Sequence, residues 1–204
     1  MRINTGKIKN WGVYFLAVLA AVFVHELGHC VVAWINGIKA IPTPAKEYIT
    51  SDVTPKLDQY IALGGVAGTI AAWLAATVLF VRKPSKTNAA IFAGTLASPG
   101  LYTFLFLLKG RGHDATEFQD AQAAAGFSYS GHSLDWLFLA ILIAGIILWS
   151  VKTKPSLKVI PALVAGAVAT IIFIAGLQSI NNAIFDPLFN PAAAAPAKTL
   201  QPAK

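Results

Sequence analysis

Residues 25–29 read His-Glu-Leu-Gly-His. On a helix, positions four apart share a face, so His25 and His29 aim two imidazoles at one point. Two neutral imidazoles suit zinc. Glu26, beside the first of them, is placed to take a proton from an activated water. The five residues sit inside an otherwise apolar run. Ionisable groups at that depth are costly and are kept for a job.

A catalytic zinc takes three protein ligands and leaves one position open. The downstream stretch Gly112-His113-Asp114-Ala115-Thr116-Glu117 offers the third. Asp114 is the leading candidate, with His113 adjacent and Glu117 about one helical turn further on. All three stay open on residue chemistry alone. Cys30 is read as buried packing beside His29. His132 and Asp135 are read as loop or cap residues, and Ser133 as the N-cap of the following helix. Asn181, Asn182 and Asp186 read as an interfacial helix end.

These groups need elements to hold them, and composition says which. Of the 204 residues, 56% are hydrophobic and 12% charged, against about 25% charged in soluble domains. The chain is therefore expected to be an all-α, polytopic membrane protein with the lipid bilayer as its solvent. Its net charge of +7 fits lysines and arginines placed in short loops and calls for no nucleic-acid partner. The single cysteine forms no internal disulfide.

Five spans are expected, at 11–36, 60–81, 88–108, 134–151 and 159–181, each near the length needed to cross hydrocarbon. The first is too long, and carries too many ionisable groups, for a cleavable signal peptide, so it is read as retained. Pro99-Gly100 should kink the third. The loop over 37–59 should hold a short strand or hairpin, and 117–125 a short surface helix. Residues 1–189 form one membrane-embedded unit, and the Ala/Pro/Lys-rich tail over 190–204 is expected to be disordered.

With five spans, the two long loops share one face. His29 lies about 10 Å of helical rise from Asn36, near the end of the first span. Asp114 follows the third span on that same face. The topology thus lets one helix deliver two histidines toward Asp114.

The zinc pattern in the first span, followed by an aspartate after the third, resembles the site-2 protease family of intramembrane zinc metalloproteases. The resemblance runs from about Trp11 to Asp120 and implies a core of three helices. It implies His25, His29 and Asp114 as zinc ligands, Glu26 as general base, and hydrolysis of peptide bonds within or next to transmembrane segments of membrane-protein substrates. The family's aspartate usually lies in a Leu-Asp-Gly context with Asn and Pro upstream. Here it lies in Gly112-His113-Asp114-Ala115 without them. Where the family commonly has Gly-Pro-x-x-Asn, this chain has Gly64-Gly65-Val66-Ala67-Gly68. Gly64, Gly65 and Gly68 can admit a substrate backbone or serve as close helix packing. The departures leave a second reading, a non-proteolytic membrane subunit or assembly factor that keeps the fold and works beside a partner in a membrane complex.

Overall fold

The computed structural model describes residues 5–127, 131–157 and 160–189, with side chains from residue 10 onward except that of His113. The 190–204 tail, and the start of the expected fifth span at residue 159, lie outside the described residues.

Helix α1 spans Thr5–Ile35. Gly37, at φ 75°, closes it: its N–H bonds to Trp34 O and that of Ile38 to Ala33 O, both at 3.0 Å. This paired closure satisfies carbonyls that a helix end otherwise leaves bare. The expected hairpin follows, with β1 at Ala40–Thr43 antiparallel to β2 at Lys46–Ile49 and Pro42 opposite Glu47. Thr54 caps α2, Pro55–Arg82, with Pro55 in its first turn, where the missing N–H costs nothing.

The third span is two helices, α3 at Lys86–Thr95 and α4 at Ala97–Lys109. The break falls at Leu96, three residues before Pro99, not at Pro99-Gly100. Pro99 can neither donate to the carbonyl four residues back nor clear it sterically, so the helix yields upstream of the proline. Helix α5, His113–Ala124, begins before the stretch expected to be helical and so includes Asp114. Helix α6, Ser133–Thr153, has His132 rather than Ser133 at its N-cap position and no side-chain cap bond. Helix α7, Ile160–Ile180, runs on through a π-helical turn, Asn181–Phe185, to a last turn at Asp186–Phe189.

Among the described residues, five helical segments are long and apolar enough to cross a membrane, α3 and α4 together forming one of them. Burial is graded across them: 44% of the best apolar window of the first span is buried, but 11% of that of the last. Helix α1 is therefore the core element, packed by α2, α3 and the hairpin. Outward-facing Leu107, Ile147 and Ile172 are exposed, as suits side chains whose solvent is lipid.

The α1–α2 crossing is close because it is made of glycine. A Cβ on Gly28 would lie 2.2 Å from Gly64 O, and one on Gly68 2.5 Å from Val24 O. No larger residue fits, and this close approach is how small residues pack helices in membranes. Cys30 is fully buried with Ala33, Ala40 and Ile61, in the packing role expected of it.

Candidate metal centre

The crossing sets His25, Glu26 and His29 on the inner face of α1, at 4%, 8% and 2% exposure. Asp114, in the first turn of α5, is 1% exposed. Donor atoms of His25, His29 and Asp114 lie within 4.8 Å of one another. One Asp114 carboxylate oxygen, Oδ2, is 3.6 Å from His25 Nε2. Glu117 lines the same cavity but joins neither metal-capable grouping among the described residues, and neither does Cys30. The side chain of His113 lies outside the described residues.

The groups behind the histidines orient them. His29 Nδ1 donates to the Ile61 carbonyl at 2.7 Å. That bond fixes the hydrogen on Nδ1 and leaves the lone pair on Nε2. His25 Nδ1 meets Thr69 Oγ1 at 2.9 Å, a hydroxyl able to accept the corresponding hydrogen. The two Nε2 atoms face each other at 3.1 Å. With the hydrogen on His25 Nε2 this contact is a hydrogen bond between the rings; with the hydrogen on His25 Nδ1 both lone pairs meet and call for a cation, and two ligands of a tetrahedral zinc sit about 3.3 Å apart. The donor set therefore fits a zinc ion.

Gly65 makes the space. A Cβ there would lie 2.1 Å from His29 Nε2 and 2.8 Å from His25 Cε1. Any side chain at 65 would enter the volume between the imidazoles. Gly64, Gly65 and Gly68 thus face α1 and its histidines, which is the close-packing arrangement.

Two residues that sequence reasoning passed over, Tyr102 and Glu47, and one that it placed in a loop or cap, Asp135, complete the site. Tyr102, on α4, places its hydroxyl 3.1 Å from His25 Nε2 and also hydrogen-bonds Asp114. Ser98, Leu101, Tyr102 and Leu105 line the cavity at helical spacing, and that stripe was the available signal. Glu47, on β2, forms a second metal-capable grouping with Glu26 and His29. Asp135 is the third: it is 1% exposed, so it is neither a loop residue nor a simple cap. Its Oδ1 accepts the Gly112 N–H at 2.8 Å and its Oδ2 lies 3.1 Å from His132 Nδ1. A Cβ on Gly112 would approach that Oδ1 to 3.1 Å. Asp135 therefore anchors the start of α5, two residues before Asp114.

The helix end at Asn181–Asp186 also does more than expected. Asp186 Oδ1 accepts from Tyr48 Oη at 2.6 Å and from Lys46 Nζ at 3.2 Å. Buried Asn181 donates to Thr43 Oγ1 at 2.6 Å. These contacts clamp the hairpin over the cavity. Burial and the Asp186 carboxylate push the Tyr48 phenol above the usual tyrosine range, so it remains a donor at neutral pH.

The cavity measures about 390 Å³ and is lined by elements from across the bundle: α1, the hairpin, α4, α5 and α7. Histidines and carboxylates from α1, the hairpin and α5 converge on this partly open space. In comparisons with protein families, curated proteins and solved structures, the chain matches none.

Proposed function

We propose that the protein is a membrane-embedded zinc endopeptidase of the site-2 protease kind, hydrolysing peptide bonds within or next to transmembrane segments of membrane proteins. The observation that carries this reading is the convergence of His25, His29 and Asp114 within 4.8 Å, in a cavity that Glu26 also lines.

In this reading His25, His29 and Asp114 hold the ion, which supplies Lewis acidity toward water and a peptide carbonyl. The chain's own residues do the rest. Glu26 accepts the proton of the attacking water at a carboxylate oxygen and returns it to the leaving nitrogen. Tyr102, already within hydrogen-bond reach of His25, is a donor at the edge of the reacting volume. The Ile61 carbonyl and Thr69 keep both imidazoles in the ligating orientation. Apolar side chains such as Val22, Leu101 and Leu105 line the cavity and limit water around the reaction.

The second reading, a non-proteolytic subunit or assembly factor, is favoured by one observation. Gly64 and Gly68 are spent on contact with the α1 backbone, so that stretch gives a substrate no hydrogen-bonding edge. The experiment is co-reconstitution of the purified protein in vesicles with a mixture of single-span membrane proteins, with fragments read by mass spectrometry. Wild type should cleave, and Glu26→Gln should fall by at least about a hundredfold while keeping its zinc. Equal cleavage by both proteins, or none by either with zinc bound, contradicts the peptidase reading.

A further inference from the structure

Two of the three proposed ligands share a helix, and the third arrives on another. His25 and His29 are set four apart on α1, so their spacing is built in. Asp114 has no such guarantee. It follows α4 through Gly110-Arg111-Gly112, two glycines in three residues, with Gly110 in the left-handed region at φ 81°. Glycine gives a connection the widest choice of backbone angles. Something else must fix the start of α5 if the Asp114 carboxylate is to meet the histidines.

Asp135 is the group placed to do so. It is the third residue of α6, where an acid ordinarily serves its own helix end. Here its Oδ1 accepts the N–H of Gly112, the N-cap residue of α5, at 2.8 Å. Gly112 has no side chain to cap α5, and Ala115, three residues on, has none to reach back to the Gly112 N–H. In a capping box that N–H is taken from within the same helix. Helix α5 takes its acceptor from α6. The other oxygen, Oδ2, lies 3.1 Å from His132 Nδ1, so both oxygens of the carboxylate are engaged. A carboxylate 1% exposed is costly unless its oxygens are met in this way.

A metal ligand must be held to within about 0.5 Å of its working position. Resting on the zinc reading above, we propose that Asp135 is a positioning residue for the third ligand. It does not line the cavity, so it touches neither the ion nor a substrate. It acts through the Gly112 backbone, two residues before Asp114, and fixes where the first turn of α5 begins. The group it holds is a neutral amide. The requirement is therefore an acceptor oxygen at that point, not a negative charge.

The test reads metal binding and backbone exchange, not turnover. Zinc affinity is measured by chelator competition in detergent for wild type, Asp114→Ala, Asp135→Ser, Asp135→Leu and Asp135→Asn. Visible spectra of the cobalt-loaded proteins are recorded alongside. Asp135→Ser shortens the reach and Asp135→Leu keeps the bulk, and both take the acceptor away from Gly112. Each should weaken zinc about tenfold or more, as losing a ligand's supporting partner does, and alter the cobalt spectrum. In the metal-free proteins, amide exchange over 111–117 should quicken severalfold while α1 and α2 stay protected. Asp135→Asn keeps an oxygen at the same place and should recover most of the affinity and the wild-type spectrum. If Asp114→Ala loses zinc while Asp135→Ser or Asp135→Leu matches wild type in affinity and spectrum, the positioning role is overturned and the zinc site stands. Asp135→Asn as weak as Asp135→Leu would also overturn it, because the acceptor would then not be what matters. If wild type itself takes up no zinc, both fall.

Discussion

Two of the elements that line the cavity are held by different physics. Helix α1 is backed by α2, backbone against backbone: Gly28 on Gly64, Val24 on Gly68, with Gly65 beneath the imidazoles. Nothing in it can give by a few tenths of an ångström without parting two long helices. The opposite wall is the β1–β2 hairpin, held by hydrogen bonds to Asn181 and Asp186 on an element that is itself mostly exposed. The first arrangement fixes ligands to the tolerance a metal needs. In the proposed peptidase, which would keep an ion yet admit a long substrate, the hairpin is the wall that would have to open.

The largest effect is expected from damage to the rigid wall. Gly65→Ala puts a methyl group 2.1 Å from His29 Nε2, inside the proposed coordination volume. Zinc affinity should drop by at least about a hundredfold, the upper end of what disturbing a metal's supporting groups costs. Gly100→Ala is the control, since the nearest atom to its added Cβ is a side-chain carbon of Leu142 at 3.9 Å. Chelator competition on both variants checks this, and equal affinities would mean that the space above Gly65 holds nothing.

A smaller effect is expected at the yielding wall. Tyr48→Phe removes the shorter of the two hydrogen bonds to Asp186. Amide hydrogen exchange over 40–49 should quicken severalfold while α1 and α2 stay protected. The pH dependence sharpens the contrast. A phenol whose pKa is raised on folding contributes stability fully below its unfolded value of about 10, and loses it as pH climbs through the folded value. Hairpin exchange in wild type should therefore show no Tyr48-linked change between pH 6 and 9, in the ordinary range about neutral. A step there that is absent in Tyr48→Phe would contradict the clamp.

The rigid wall was the more legible of the two. His25, Glu26 and His29 follow from four-residue spacing on one helix, and the five spans from hydropathy. Asp114 was reachable by counting crossings, because topology alone puts it on the face His29 approaches. The glycines at 64, 65 and 68 were visible, but which way they faced depended on a crossing that no local pattern records. Leu96 broke the third span because a proline acts on the turn before it. The yielding wall was nearly opaque. Glu47 faces the cavity by strand alternation within a hairpin of four-residue strands, where a lone acid looks like any loop charge. Asp135, three residues after the His132 cap position, has the sequence signature of an ordinary first-turn acid. Its burial depends on Gly112 arriving from the preceding segment, which is a tertiary event.

The central claim is that α1 and the start of α5 meet around one divalent ion. Metal content of the purified protein tests it most directly, with wild type, His29→Ala and Asp114→Ala compared by elemental analysis after identical dialysis. About one zinc per chain in wild type, and loss from both variants, is the expected result. Wild-type protein without metal, or full zinc retained by Asp114→Ala, would contradict it.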